Sequence, residues 1–174
     1  MNSKCRQILL LIWLSLAGLS QSGVASDSFV QGVLGELPAE EKILLRGEVL
    51  DAIRTVYGNR YPASSVSYWE KAGRRVWILK SRGKHGYVEA GFVTEAERLV
   101  RVRVLDSKEV RGKVIETERF LKQFVGSGLD ETHQLDQRVD GVSGATVSVN
   151  ALKKMALVAL VLDSFVSDGI SPCL

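Results

Sequence analysis

The sequence predicts an α+β fold: an antiparallel sheet meander with a short helix and a buried C-terminal helix, preceded by an N-terminal helix. Three observations carry this. Between residues 65 and 105, four segments rich in Val, Trp and Tyr are separated by short links, and short links force antiparallel neighbours because parallel ones need long crossovers. Residues 155–162 are apolar on every side, the pattern of a helix buried all round. The 174 residues, 45% apolar and 25% charged, suit one domain with its own core and argue against a disordered or disulfide-framework chain.

The chain begins with Lys4 and Arg6, then an apolar run over 8–19 interrupted only by Ser15 and Gly18. Gly23-Val24-Ala25 offers small residues for cleavage before Ser26. This reads as an export signal over 1–25, the run being too short for a comfortable span of roughly 20 residues. An uncleaved N-terminal anchor is the alternative. The signal takes two of the 23 basic residues and none of the 20 acidic ones. The net charge of +3 therefore drops to +1, and nucleic acid loses its electrostatic case as a partner. Cys5 goes with the signal, leaving Cys173, so no internal disulfide is expected.

Residues 26–62 are expected to form an N-terminal helical segment, and 63–174 the main domain. Residues 26–35 read as a loose lead-in. Pro38, Glu40 and Glu41 suit the first turn of a helix, with Ile43, Leu44, Leu50, Ile53 and Tyr57 on its apolar face and Gly58-Asn59 ending it. The strands fall at 65–69, 75–80, 87–94 and 99–105. In the last, Val100, Val102 and Val104 alternate with Arg101 and Arg103, giving either a solvated sheet face or a basic stripe near an anionic ligand. Residues 116–125 predict a short helix with Phe120, Leu121 and Phe124 inward, and about 148–166 the buried helix.

The segment with chemical content is Asp140-Gly141-Val142-Ser143-Gly144-Ala145-Thr146-Val147-Ser148, just before that helix. Ser143-Gly144-Ala145 lacks bulk and lets another group approach the backbone. Thr146 places a hydroxyl near a helix N-terminus, where free N–H groups and the dipole attract phosphate. On these features alone, a tight turn with a capping hydroxyl is the plainer reading.

The pattern Asp140-x-x-Ser143-Gly144-Ala145-Thr146-x-Ser148 resembles the flavinylation motif of the covalent FMN-binding domain family. That family includes flavin-carrying subunits of sodium-translocating quinone reductases and related ferredoxin-oxidising complexes, and stand-alone exported proteins, which this chain resembles more. Upstream, 104–112 is similar to the family's strand and Arg-Gly turn, ending in Arg111-Gly112, and 119–124 to its short helix ending in Gln-Phe. Val93-Thr94-Glu95-Ala96-Glu97 stands where many members have a Gly-rich stretch.

The resemblance implies a domain over 63–174 that holds FMN through a phosphoester to Thr146, attached by a separate flavin transferase that uses FAD and a divalent metal. Ser143, Gly144 and Ala145 would give the compact backbone, Asp140 would help present the segment, and Arg111 with Gly112 would lie near the phosphate or ring. It further implies an exported, periplasmic or extracytoplasmic electron carrier between a membrane or soluble redox partner and an acceptor. No catalytic set, metal cluster or dinucleotide fingerprint is visible in the sequence. His85 and His133 read as surface histidines, and Trp69, Trp77, Tyr87 and Phe92 as core residues that could instead wall a flavin. Two other classes stay open: a flavin-free ligand-binding or interaction module of the same fold, or a flavin reductase with its own small substrate.

Overall fold

Each strand of the sheet pairs with its neighbour in sequence. A computed structural model describes residues 21–58, 61–108 and 112–169. Its sheet has the order β1-β2-β3-β4-β5, antiparallel throughout, with β1 Glu41–Leu44, β2 Ser65–Lys71, β3 Arg74–Arg82, β4 Tyr87–Glu95 and β5 Arg98–Ser107. The turns Ala72-Gly73 and Ala96-Glu97 have positive φ at both residues, the geometry whose twist matches a tight hairpin. Helix α1 (Gln21–Leu34) precedes the sheet, α2 (Gly47–Tyr57) connects β1 to β2, and the short α3 (Glu118–Leu121) lies between 3-10 turns at Gly112–Glu116 and Lys122–Phe124. The last element is α4, Thr146–Ser167.

The sheet is covered on both faces. On one, α4 packs along β3 and β4 and against α2. Trp77, Leu79, Phe92 and Leu99 meet Leu152, Met155 and Leu160 there, and Met155–Leu162 of α4 are all buried, as their unbroken apolarity predicts. Tyr68 and Trp77 stack with ring centroids 4.7 Å apart. On the other face, Phe29, Val30 and Leu34 of α1 pack on Trp69, Val76 and Val93. Gly91 has no side chain where the Phe29 ring presses on β4.

Three local expectations change. Residues 26–35 are not a loose lead-in: 26–34 belong to α1, made helical by the apolar contacts of Phe29, Val30 and Leu34. Pro38 and the acids after it do not open a helix. Residues 41–44 instead form an edge strand that buries Ile43 and gains backbone partners in β2, and the helix starts at Gly47. In β5, Val100 is exposed rather than aligned with Val102, because a bulge opposite Val93/Thr94 puts Leu99 into the core and rotates Val100 out. Arg101 of that strand lies over the Phe29 ring, 5.8 Å from its centroid, so it covers α1. The export signal expected over 1–25 lies outside the described residues for 1–20, while 21–25 form the start of α1.

Across the α4 face runs one polar network. Buried Asp163 accepts through Oδ1 from Thr94 Oγ1 at 2.6 Å and from Arg75 at 3.0 Å; Trp77 Nε1 donates to Thr94 at 2.9 Å, and Arg75 Nε donates to Glu70 at 2.8 Å. It ties the C-terminal end of α4 to the start of β3.

Candidate functional site

Thr146 is the first residue of α4 and is exposed. The approach to it is a turn: Ala145 N–H donates to Val142 O at 3.0 Å, with Gly144 at φ 81°. Only glycine adopts that angle freely, which is the physical use of Gly144 in the motif. The capping position of α4 is Ala145, whose side chain offers no acceptor. The first turn therefore keeps its affinity for an anion instead of spending it on a side chain.

Gly144, Ala145 and Thr146 line a hollow of about 240 Å³ together with Val147, Ser148, Lys84 and His85. Lys84 and His85 come from the loop that joins β3 to β4. None of the seven described residues that line it is acidic. A cation, an imidazole, a helix N-terminus and a hydroxyl thus converge on one small space, which suits a phosphate.

Of the other predicted residues, Ser143 is exposed in the turn before Thr146. Asp140 lines a separate hollow of about 420 Å³ with Arg138, Gln137 and Lys153; its carboxylate is 3.2 Å from Arg138. Its backbone N–H donates to Gln123 Oε1 at 2.8 Å, so the short helix region holds the start of the motif in place. Gly112 begins the 3-10 turn that contacts β5 and α4. Arg111 lies outside the described residues. Among the aromatic candidates, Trp77 and Phe92 are fully buried in the core, whereas Trp69 and Tyr87 line a cavity of about 510 Å³ on the α1 side, beside Tyr61, Lys80 and Glu89. Burial pushes the Tyr61 phenol far above its ordinary range, so it stays protonated.

Residues 83–161 match the model of a family described as the FMN-binding domain. This segment is an FMN-binding domain. No curated protein matches the chain. The FMN-binding domain begins in the loop that supplies Lys84 and His85 and includes most of α4, so both walls of the Thr146 hollow belong to it. The chain is a flavin-binding protein. Its hollow fits the phosphate end of FMN: the helix N-terminus has no side-chain cap, a cation faces it, and Thr146 Oγ1 is accessible. Sequence reasoning missed Lys84 and His85 as part of this site. The available signal was a Lys-His pair between two glycines, Gly83 and Gly86, at the tip of a hairpin. Among the described residues no group of His, Cys, Asp or Glu is placed to hold a metal, and no helix is long and apolar enough to cross a membrane.

Proposed function

We propose that the protein is exported and carries FMN covalently through a phosphoester to Thr146, serving as an electron carrier between a redox partner and an acceptor. The observation that supports it is the exposed Thr146 hydroxyl at the uncapped start of a 22-residue helix, inside the FMN-binding domain. For attachment, the Thr146 oxygen attacks the flavin-side phosphorus of FAD on a flavin transferase. The bond to the adenylate half breaks, AMP leaves, and the hydroxyl proton passes to a base outside this chain. Gly144 holds the backbone turn that presents Thr146, and Gln123 anchors Asp140 at the turn's far side.

Bound there, FMN supplies one- and two-electron redox chemistry, and the protein supplies position and charge. An exposed attachment point leaves room for a partner protein to approach. Covalent attachment also suits export. A reversibly held cofactor stays bound only while its free concentration exceeds the dissociation constant, and a bond removes that dependence outside the cytoplasm.

The test is coexpression with a flavin transferase, denaturation, and a search for flavin fluorescence and added mass on the polypeptide. Wild type and Thr146→Ser become labelled and Thr146→Ala does not. Label on Thr146→Ala would overturn the acceptor assignment. An unlabelled wild type, beside a labelled control substrate, would overturn covalent carriage. N-terminal sequencing of secreted protein tests export, with Ser26 as the expected first residue.

A further inference from the structure

The β3–β4 ladder ends at Arg82 paired with Tyr87. Gly83, Lys84, His85 and Gly86 remain as a four-residue loop, closed by the Gly83 N–H donating to Gly86 O at 2.7 Å. The closure places Lys84 and His85 at the tip, and both are exposed. The tip and the first turn of α4 are some sixty residues apart in sequence, yet they form opposite walls of one hollow. Beside them stands another cation. A Cβ on Gly86 would lie 3.4 Å from Lys108 Cβ, so Lys108 runs along the back of the loop.

A lysine beside the positive end of a helix is electrostatically unfavourable, and among the described residues no acidic side chain lines the hollow to offset it. An anion in the hollow reverses the balance, since it gains from the cation and from the helix end together.

We propose that Lys84 and His85 are the second half of the phosphate seat. The Lys84 ammonium and an N–H of the His85 ring hold the phosphate group that Thr146 esterifies. This rests on the reading of Thr146 as the FMN acceptor. No bond is made or broken at either residue. Lys84 balances the charge of the phosphate before transfer and the single negative charge of the phosphodiester afterwards.

The test uses the whole exported chain with FAD and a flavin transferase, and compares Lys84→Gln, Lys84→Arg and His85→Gln with wild type. Lys84→Gln lowers the labelling rate by about tenfold, the scale of one charge-assisted hydrogen bond. Lys84→Arg stays within about twofold, because the charge is kept. The gap between Lys84→Gln and wild type narrows as salt is raised, since the hollow is open to screening. Melting temperatures of the Lys84 variants stay the same as that of wild type, because the Lys84 side chain is exposed. In labelled wild type the NMR signals of the Lys84 ammonium and the His85 ring move relative to the unlabelled protein.

Equal labelling rates for wild type and Lys84→Gln would overturn this proposal and leave Thr146 as acceptor. A slower Lys84→Gln with Lys84 and His85 signals unmoved by attached FMN would assign Lys84 to transferase docking and overturn it as well. A wild type that takes no label while the control substrate does would defeat the acceptor reading itself, and this proposal with it.

Discussion

Gly91→Ala tests whether α1 seats on the sheet as described. A Cβ at position 91 would lie 2.6 and 3.1 Å from Cδ1 and Cζ of Phe29, and closer still to Cε1. The Phe29 ring is 4% exposed and packed among Val30, Trp69 and Val93, so it cannot swing into water without lifting α1. Overpacking of this kind costs about 1–3 kcal/mol. Alanine in place of glycine returns roughly 0.4–1 kcal/mol by restricting the unfolded chain. The net loss is about 1–2 kcal/mol, which moves the urea midpoint down by about 0.5–1 M. Trp fluorescence is a suitable probe because Trp69 lies under the same helix. Phe29→Ala is itself destabilising by about 3 kcal/mol, but it removes the obstacle, so adding Gly91→Ala in that background costs nothing further. An equal cost of Gly91→Ala in both backgrounds, or none in the wild-type background, would refute the reasoning.

Arg75→Met leaves buried Asp163 with Thr94 as the donor to Oδ1 and no described partner on Oδ2; it lowers stability by about 3–5 kcal/mol in urea denaturation, and the double change with Asp163→Asn recovers part of that. Gly144→Ala forces φ 81° on a residue with a Cβ, although nothing lies within 4 Å of it; the cost is about 1–2 kcal/mol of strain, read from the same denaturation curves. The Gly128 N–H, with Arg98 beside it, holds the Asp136 carboxyl below its usual 3.8. A depressed folded value means that the native state binds fewer protons than the unfolded one. This contribution is complete above the unfolded value and is lost as pH falls through the folded one. Asp136→Asn therefore shows a shallower loss of melting temperature below about pH 4 than wild type, and parallel pH curves would contradict the assignment.

Much of the sheet was legible because Val- and Trp-rich segments with short links leave few topologies to choose from. The buried helix was equally plain, since nothing else explains apolarity on every side of Met155–Leu162. What misled was local chemistry overruled by distant contacts. Pro38, Glu40 and Glu41 look like a helix start until β2 offers backbone partners to Glu41–Leu44. Residues 26–34 look loose until Val76 and Val93 supply a surface for Phe29 and Val30. The β5 alternation was read one residue out of step at Val100, because a bulge leaves no mark in a Val-Arg repeat. Near the candidate site, the turn at Gly144 and the start of α4 at Thr146 were readable from sequence, since small residues ahead of a long apolar run mark a helix start. Lys84 and His85 were not, because their meaning depends on which end of the hairpin meets which end of α4, and that is set only by the folded register.

The same register fixes the phase of α4. At 1.5 Å per residue its 22 residues span about 33 Å, close to the nine-residue ladder of the β3–β4 hairpin at about 30 Å. The helix runs against β3, with Asp163 locked to Arg75 at one end and Thr146 set beside Lys84 and His85 at the other. A single residue inserted between those ends would turn Thr146 by about 100° around the helix axis and aim its hydroxyl away from the hollow, with every packing residue still apolar. The helix is therefore less tolerant of changes in length than of changes in sequence.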